Sequence, residues 1–447
     1  MGLLSLPPEI IDKICKLFCT HCQNEPLSRS PHEQDLVTSC PSKIWEHDAQ
    51  GVKALLDLSE TCQALNTLTL PHRYHRVEFK SDLLCTKQFI AHIRGRGHDA
   101  LKHVRSLSLS YTKAMDDSYN RLPNSLKRRF NFFDMVLRHV PQIQILHIRL
   151  NLEHEIKVPR RTTPESLRYL HIERADEESD DYTHSLHIDD VLQQAPKIHT
   201  LVIQVTRLSW SFGSGGLQNV KCLKLVDTLV KPELLEKILE SCPQLESFVF
   251  IFFGKMRDWS RLRRNEITTL RTLPHVLSLR QETLRYVELY WKPDIPWIRG
   301  MEIVGCFKGL TSLETLILGG PGLRFERAEN HEPFETCLVD LLPQSIRSVA
   351  IDSGSMNLHK PISALGEAVK WGSFPMLREI RCYQREFGGW ADLERTLSRP
   401  FVSRRQVAED WSNMNRSLRD LLLQLSRTCN VSFSAETKRP FGHDAGP

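Results

Sequence analysis

The feature that most constrains this chain is a short phrase repeated along its length: aliphatic, two spacers, aliphatic, one spacer, aliphatic. It occurs as VRSLSLS, IQILHIRL, LRYLHIE, IHTLVIQV, VKCLKLV, LESFVFI, LRYVELY, LETLILG, IRSVAID and LREIRCY. Each copy alternates with period two and so predicts a short strand. The central anchors Leu107, Leu146, Leu170, Leu201, Leu223, Phe248, Val287, Leu316, Val349 and Ile380 recur at intervals of roughly 22 to 39 residues. That spacing belongs to stacked repeats, since hairpin-linked strands follow one another more closely.

Helical patterns precede several strands. In KPELLEKILESCPQLESFVFI, Pro232 opens a helix, Leu234, Leu235, Ile238 and Leu239 form an apolar stripe, and CPQL turns the chain into the strand. NFFDMVLRHVPQIQILHI and IDDVLQQAPKIHTLVI repeat the arrangement. One strand and one helix per unit, with neighbours stacking to close the core, predict an α/β solenoid with parallel strands inside and helices outside. CNVSF at 429–433 predicts the last strand, leaving 434–447 as a frayed tail.

Strand positions between the buried aliphatics face the concave side of such an array. Arg105, His147, Arg149, Tyr169, His171, Gln204, Lys224, Tyr290 and Arg381 stand there as candidates for reading a target protein. The repeats resemble a degenerate, irregular leucine-rich-repeat array. The usual Asn or Cys of the repeat turn is mostly missing, and the long intervals near 108–140 and 250–285 imply added helices or loops.

The front of the chain is different. In LLSLPPEIIDKICKLFC (3–19), Ile10, Ile14, Leu17 and Phe18 share one helical face. Pro7-Pro8 and Glu9 suit a helix entry. In ALLDLSETCQAL, Leu55, Leu58, Cys62 and Leu65 again share a face. In TLPHRYHRVEF, Pro71 predicts a helix end, and Val77 and Phe79 a short strand.

These residues resemble an F-box. Leu6, Pro7, Glu9, Ile10, Ile14 and Leu17 match its first half; Leu55, Leu56, Leu58 and Cys62 match the second; Pro71 and Tyr74 match its exit. Leu65 stands for the common Trp, Thr61 for the common Val, and residues 20–51 form an insertion where the family has a short link. A surface insertion is thermodynamically cheap. The resemblance implies an F-box domain over 1–80 and a repeat array over 81–433. It also implies docking on a Skp-type adaptor and, through it, a cullin of a ubiquitin ligase. Leu6, Pro7, Ile10 and Ile14 would face the adaptor, supported by Leu56 and Leu58, while Leu17, Cys62 and Leu65 would pack internally. The divergent repeats resemble in style those of filamentous fungi.

Other chemistry is weakly marked. Cys19 and Cys22 have the spacing of half a zinc site, which Cys40 and His47 could complete; the alternative is a buried Cys15 beside solvated thiols. FGSGG (212–216) lacks the lysine of a phosphate-binding loop, and there is no GxSxG or HExxH motif. No catalytic residue, metal or cofactor is therefore expected, and the chain is read as a non-enzymatic receptor. The acidic run 173–182, the basic run 255–264 around Trp259 and the pair Arg160 and Arg161 are read as solvated or anion-binding faces. A net charge of +5 makes nucleic acid an improbable partner. No apolar run is long enough to span a membrane, and no secretory signal or lipidation motif is present. Cys222, Cys242, Cys306 and Cys337 stand singly among apolar residues, as reduced core thiols do, so a cytoplasmic or nuclear protein is expected.

Overall fold

The repeated phrase forms strands, and its anchors fall opposite one another. This computed structural model describes residues 5–19, 22, 49–79, 101–110, 137, 139–150, 165–174, 192, 195–204, 216–228, 230–252, 268–291, 303–320, 324–325, 335–352, 358–383, 404–429 and 431–436. The chain divides into two compact units, Met1–Leu229 and Val230–Pro447.

Among the described residues the first unit opens with the helices α1 (Pro8–Phe18), α2 (Ala49–Thr61) and α3 (Gln63–Tyr74). Pro8 begins α1, where its missing N–H has no intrahelical partner to lose, and Glu9 lies at the positive end of the helix dipole. Ile11, Cys15 and Cys19, spaced i, i+4, i+8, turn inward against Leu55 and Leu65. Two expectations change here. The ALLDLSETCQAL stretch is two helices, because Cys62 is extended (φ −164°, ψ 163°) and caps α3. Pro71 lies inside α3 rather than ending it. It offers no N–H to the Thr67 carbonyl, and the helix runs on past it for one further turn, to Tyr74.

Six strands follow: β1 (Arg76–Phe79), β2 (Ser106–Ser110), β3 (Ile145–Leu150), β4 (Tyr169–Arg174), β5 (Thr200–Gln204) and β6 (Cys222–Val226). Each is parallel to the next. The first strand begins at Arg76, inside the segment assigned to the N-terminal domain. Register pairs Leu107 with Leu146, then Leu170, Leu201 and Leu223 in turn. A second row, Leu109, Ile148, Ile172, Ile203 and Leu225, runs two residues further on. Both rows are buried throughout. Burial of one such side chain contributes about 1.5–3 kcal/mol, and stacking gives every rung an apolar neighbour on both sides.

One main-chain arrangement recurs at successive strand entries. The carbonyl just before the strand accepts two N–H groups from the next repeat: His75 from Arg105 and Ser106, Arg105 from Gln144 and Ile145, Gln144 from Arg168 and Tyr169. Arg168 and His199 continue the series.

The second unit repeats this design with β7 (Ser247–Phe252), β8 (Tyr286–Trp291), β10 (Thr315–Gly319), β12 (Ser348–Asp352), β13 (Glu379–Tyr383) and β14 (Ser432–Glu436), all parallel. A separate parallel pair joins β9 (Ile303–Val304) to β11 (Arg324–Phe325). Phe248, Val287, Leu316, Val349 and Ile380 form one register row, and all five are buried. Glu246, Arg285, Glu314 and Arg347 supply the doubly accepting carbonyls. The apolar runs of β7 and β8 are buried on both faces, with the Trp291 ring stacked 4.7 Å from Phe252.

Helices α4 (Pro232–Glu240), α5 (Leu273–Leu277), α6 (Cys337–Leu341) and α7 (His359–Lys370) connect these strands. In α4, Leu235, Ile238 and Leu239 are buried, as the stripe predicts. The helical stretches expected before β3 and β5 fall mostly outside the described residues. A long helix, α8 (Arg404–Thr428), was not anticipated; it buries Leu418, Leu422 and Leu425. Gly366 on α7 admits it closely, since a Cβ there would stand 2.5 Å from Leu425 Cδ2. The last strand runs to Glu436, into the segment expected to be a tail.

Cys222, Cys242 and Cys337 are buried as expected, and burial pushes the Cys242 and Cys337 thiols up to about 12. Cys306 is exposed instead, with its thiol donating to the Asp340 carbonyl at 3.2 Å. It lies in the turn segment ahead of β10, and its neighbour Phe307 is the residue that turns inward.

Candidate functional site

Three features of the first unit can carry function: an outward apolar stripe, a cysteine–histidine cluster, and the second face of the strands. Helix α1 is apolar on two sides. Its inner side makes the small core described above. Its outer side leaves Ile10 39% exposed and Leu17 67% exposed, with Leu6 ahead of the helix at 38%. On α2, Leu56 is 38% exposed, and Val52 one turn before it is exposed too. Pro7 is exposed, whereas Ile14 and Leu58 are half-buried. The residues named for adaptor contact thus lie on the outside or at its edge. Leu17, expected to pack internally, points to solvent; Ile11 takes the inner position. The 3.6-residue period explains the exchange, because Ile11 and Cys15 lie about a third of a turn from the Ile10–Ile14 face.

At the C-terminal end of α1, Cys19 and Cys22 meet His72 and His75 from the end of α3. All four ligand atoms lie within 4.8 Å of one another. Cys22 Sγ is 3.4 Å from His75 Nδ1 and 3.8 Å from His72 Nδ1; Cys19 Sγ is 3.6 Å from His75 Nδ1. On the other side of its ring, His72 Nε2 is 2.9 Å from Asp12 Oδ1. The Lys16 ammonium, 2.8 Å away, together with His72 outweighs partial burial and holds the Asp12 carboxyl below its ordinary value. The spacing of the cysteines marks them in the sequence as half of such a group. The histidines are not so marked, because the same letters serve as the exit from a helix. Cys40 and His47, named as possible completions, lie outside the described residues.

The strand face opposite the leucine rows carries Ser108, His147, His171, Val202 and Lys224 in one register line. His147 and His171 stack, with centroids 4.4 Å apart and planes 13° from parallel. His147 Nδ1 is 3.2 Å from Ser108 Oγ, and its Nε2 is 2.9 Å from Glu173 Oε2. Gln204 lies alongside His171, but among the described residues neither ring nitrogen has a partner at full hydrogen-bonding geometry. Burial, with His147 second, pushes His171 well below the ordinary imidazole value. His147, His171 and Glu173 are close enough to hold an ion. Parallel stacked rings send their in-plane lone pairs past one another, however, so the two imidazoles do not converge on one point.

Of the other residues named for target contact, Tyr169 and Tyr290 are buried along with His147 and His171. Arg149, Gln204, Lys224 and Arg381 are half-buried on the expected face. Arg149 lies 3.6 Å from Glu173, and Arg381 donates to Glu379 at 2.8 Å. Arg105 precedes β2, and its guanidinium donates to the Gln142 carbonyl at 3.3 Å. The charged runs noted in the sequence fall almost wholly outside the described residues, as does most of the 20–51 insertion. Among the described residues no helix is long and apolar enough to cross a membrane.

No protein-family model matches this chain, and no curated protein matches it. Among solved structures, it is similar to a crystal structure of an internalin (inlF) from Listeria monocytogenes, with 10% sequence identity and a TM-score of 0.29. That similarity covers 68% of this chain and 84% of the internalin. So loose a superposition transfers no residue role. The registers of the strands themselves make each unit a leucine-rich-repeat-like stack of parallel strands.

Proposed function

We propose that this protein is a substrate receptor whose N-terminal helices dock on a Skp-type adaptor and whose repeat strands bind a target protein. In this reading residues 1–80 act as an F-box domain with an insertion at 20–51, and the repeats to about residue 433 form the recognition module. The adaptor brings a cullin, and ubiquitin transfer to the target follows from proximity, with no bond made by this chain. The setting is the cytosol or nucleus. The observation that carries the reading is the outward stripe of Leu6, Pro7, Ile10 and Leu56 on a helical module whose interior is already filled by other residues. A water-exposed apolar stripe beside an independent core is what a partner helix covers. Arg149, Gln204, Lys224 and Arg381 supply polar handles on the strand face for the target.

The test is reconstitution of the full chain with a recombinant Skp-type adaptor and cullin. The wild-type chain should retain both. The double variant Ile10→Asp with Leu56→Asp should retain neither while its thermal unfolding stays unchanged, since both side chains are exposed. Adaptor bound without cullin would favour an interaction scaffold working outside ubiquitination. Failure to bind any adaptor ends the F-box reading.

A further inference from the structure

We infer that Cys19, Cys22, His72 and His75 form a structural zinc site that fastens the end of the first helix to the end of the third. The inference is independent of adaptor binding, since it rests only on the side chains of the cluster.

Geometry is the first support. Zinc bound to sulfur at about 2.3 Å and nitrogen at about 2.0–2.1 Å, at tetrahedral angles, sets the sulfur–nitrogen edges at about 3.5–3.6 Å. The three sulfur–nitrogen distances given above, 3.4, 3.6 and 3.8 Å, bracket that edge. The two imidazoles meet edge to face, at 64° between planes and 5.0 Å between centroids. Rings set at a steep angle can aim both Nδ1 lone pairs at one point, which the stacked pair at His147 and His171 cannot.

Composition is the second support. Two thiolates and two imidazoles in a Cys-x2-Cys and His-x2-His arrangement match a closed structural zinc site, and soft sulfur with nitrogen in a tetrahedron selects zinc among common divalent ions. A hydrogen-bonded cluster is the competing account. It places one thiol proton on the single lone pair of His75 Nδ1, and it gives the Cys19 thiol the His72 carbonyl as an acceptor at 3.7 Å. Both thiols approach that nitrogen, at 3.4 and 3.6 Å. A single cation satisfies both at once.

The surroundings are the third support. Asp12 accepts from His72 Nε2 on the far side of the ring, leaving Nδ1 to face the cysteines. A ligand imidazole whose other nitrogen is held by a carboxylate is the usual outer layer of a zinc site. Asp12 is a positioning residue here, oriented in turn by Lys16.

The site also has a mechanical purpose. The fully buried core of the helical module is Ile11, Cys15, Cys19, Leu55 and Leu65. So small a core gains from a metal staple. Cys19 precedes the 20–51 insertion, Cys22 lies at its start and both histidines follow it, so the ion fastens the end of α1 to α3 whatever the rest of the inserted chain does. His75 is also the residue whose carbonyl receives the first two N–H groups of the strand ladder. One ion therefore ties the outward helix to the first rung.

The experiment uses the full chain expressed with added zinc and purified without chelator. Metal content by mass spectrometry should be about one zinc per chain. Exchange for cobalt should give the visible bands of a tetrahedral site and a thiolate charge-transfer band. Cys22→Ser and His75→Asn should each lose the charge-transfer intensity or the stoichiometric zinc, whereas Cys62→Ser and Cys40→Ser should keep both. Asp12→Asn should keep one site but weaken it by about 10- to 100-fold in a competition titration. Should a ligand variant fail to fold, chelator titration of the wild type reads the same property as a drop in unfolding temperature reversed by zinc. Absence of zinc and of the cobalt spectrum overturns the inference. So does a Cys19–Cys22 disulfide in the freshly purified chain, or loss of zinc in Cys40→Ser, which would assign the second pair of ligands to the insertion.

Discussion

The helical module and the strand ladder of the first unit bury apolar surface in opposite ways. The ladder stacks like on like: Leu107, Leu146, Leu170, Leu201 and Leu223 stand in register with their counterparts on the adjoining strands, and each is fully enclosed. The module gathers Ile11, Cys15, Cys19, Leu55 and Leu65 into one small cluster and leaves comparable side chains outside. A ladder gains stability in proportion to its length, whereas a three-helix cluster cannot grow. A module of this kind therefore has reason to add a metal staple and to share its outer face with another chain.

The contrast can be tested by mutation. The largest effect is expected within the ladder. Leu170→Ala removes a side chain clamped between two rungs that cannot move together, and should cost about 3–5 kcal/mol in urea unfolding. A loss below about 1 kcal/mol would mean that the rungs collapse on the cavity. In the module, Leu55→Ala should cost less, about 2–3 kcal/mol, because a small cluster of helices relaxes more readily around a gap. Equal losses would erase the distinction.

An intermediate effect depends on pH. His171 is held neutral by burial, so the unfolded chain takes up a proton before the folded one. Stability is unaffected by this group above about pH 6.5, falls as pH drops below it, and levels once the depressed folded pKa is passed. Comparing urea midpoints at neutral and mildly acid pH should show a steeper loss for wild type than for His171→Gln. Identical slopes would show that the imidazole takes its proton in the folded state. The smallest effect belongs to the outer stripe. Leu17→Ser should change unfolding stability by no more than about 0.5 kcal/mol, since the side chain is already in water.

Much of the ladder was legible in the sequence, and the reason is its period. All ten anchors read from the repeated phrase are fully buried, and within each unit they pair in register. Alternation specifies which face a strand residue takes. It does not specify whether that face is open. His147, His171, Tyr169 and Tyr290 lie on the face the pattern assigned them, yet they are buried, because large side chains on adjacent rungs cover one another at the spacing of strands. The helix α8 has a fainter signal: Leu418, Leu422, Leu425 and Cys429 fall at helical intervals, but the polar residues around them mask the stripe.

The cysteine–histidine cluster shows where reading along a chain stops. Cys19 and Cys22 announce themselves by spacing. Their partners lie some fifty residues away, and only the packing of α1 on α3 brings them together. Had α3 ended at Pro71, His72 would not lie in its last turn. Pro71 reads as the end of the helix, yet α3 continues through it to Tyr74.

The carbonyl that takes two N–H groups at successive strand entries has a further consequence. Repeats recognise one another there through the main chain, so the residue supplying the oxygen is free to vary: His75, Arg105, Gln144, Arg168 and His199 all serve in the first unit. Such a joint is indifferent to sequence but not to proline, which would remove a donor at the following strand entry. In evolutionary terms the chain resembles a sentence whose grammar is fixed and whose vocabulary is open. Whole repeats can be duplicated, lost or rewritten on their surfaces while the spacing of the strands is preserved, and new partners can be acquired without inventing a new fold.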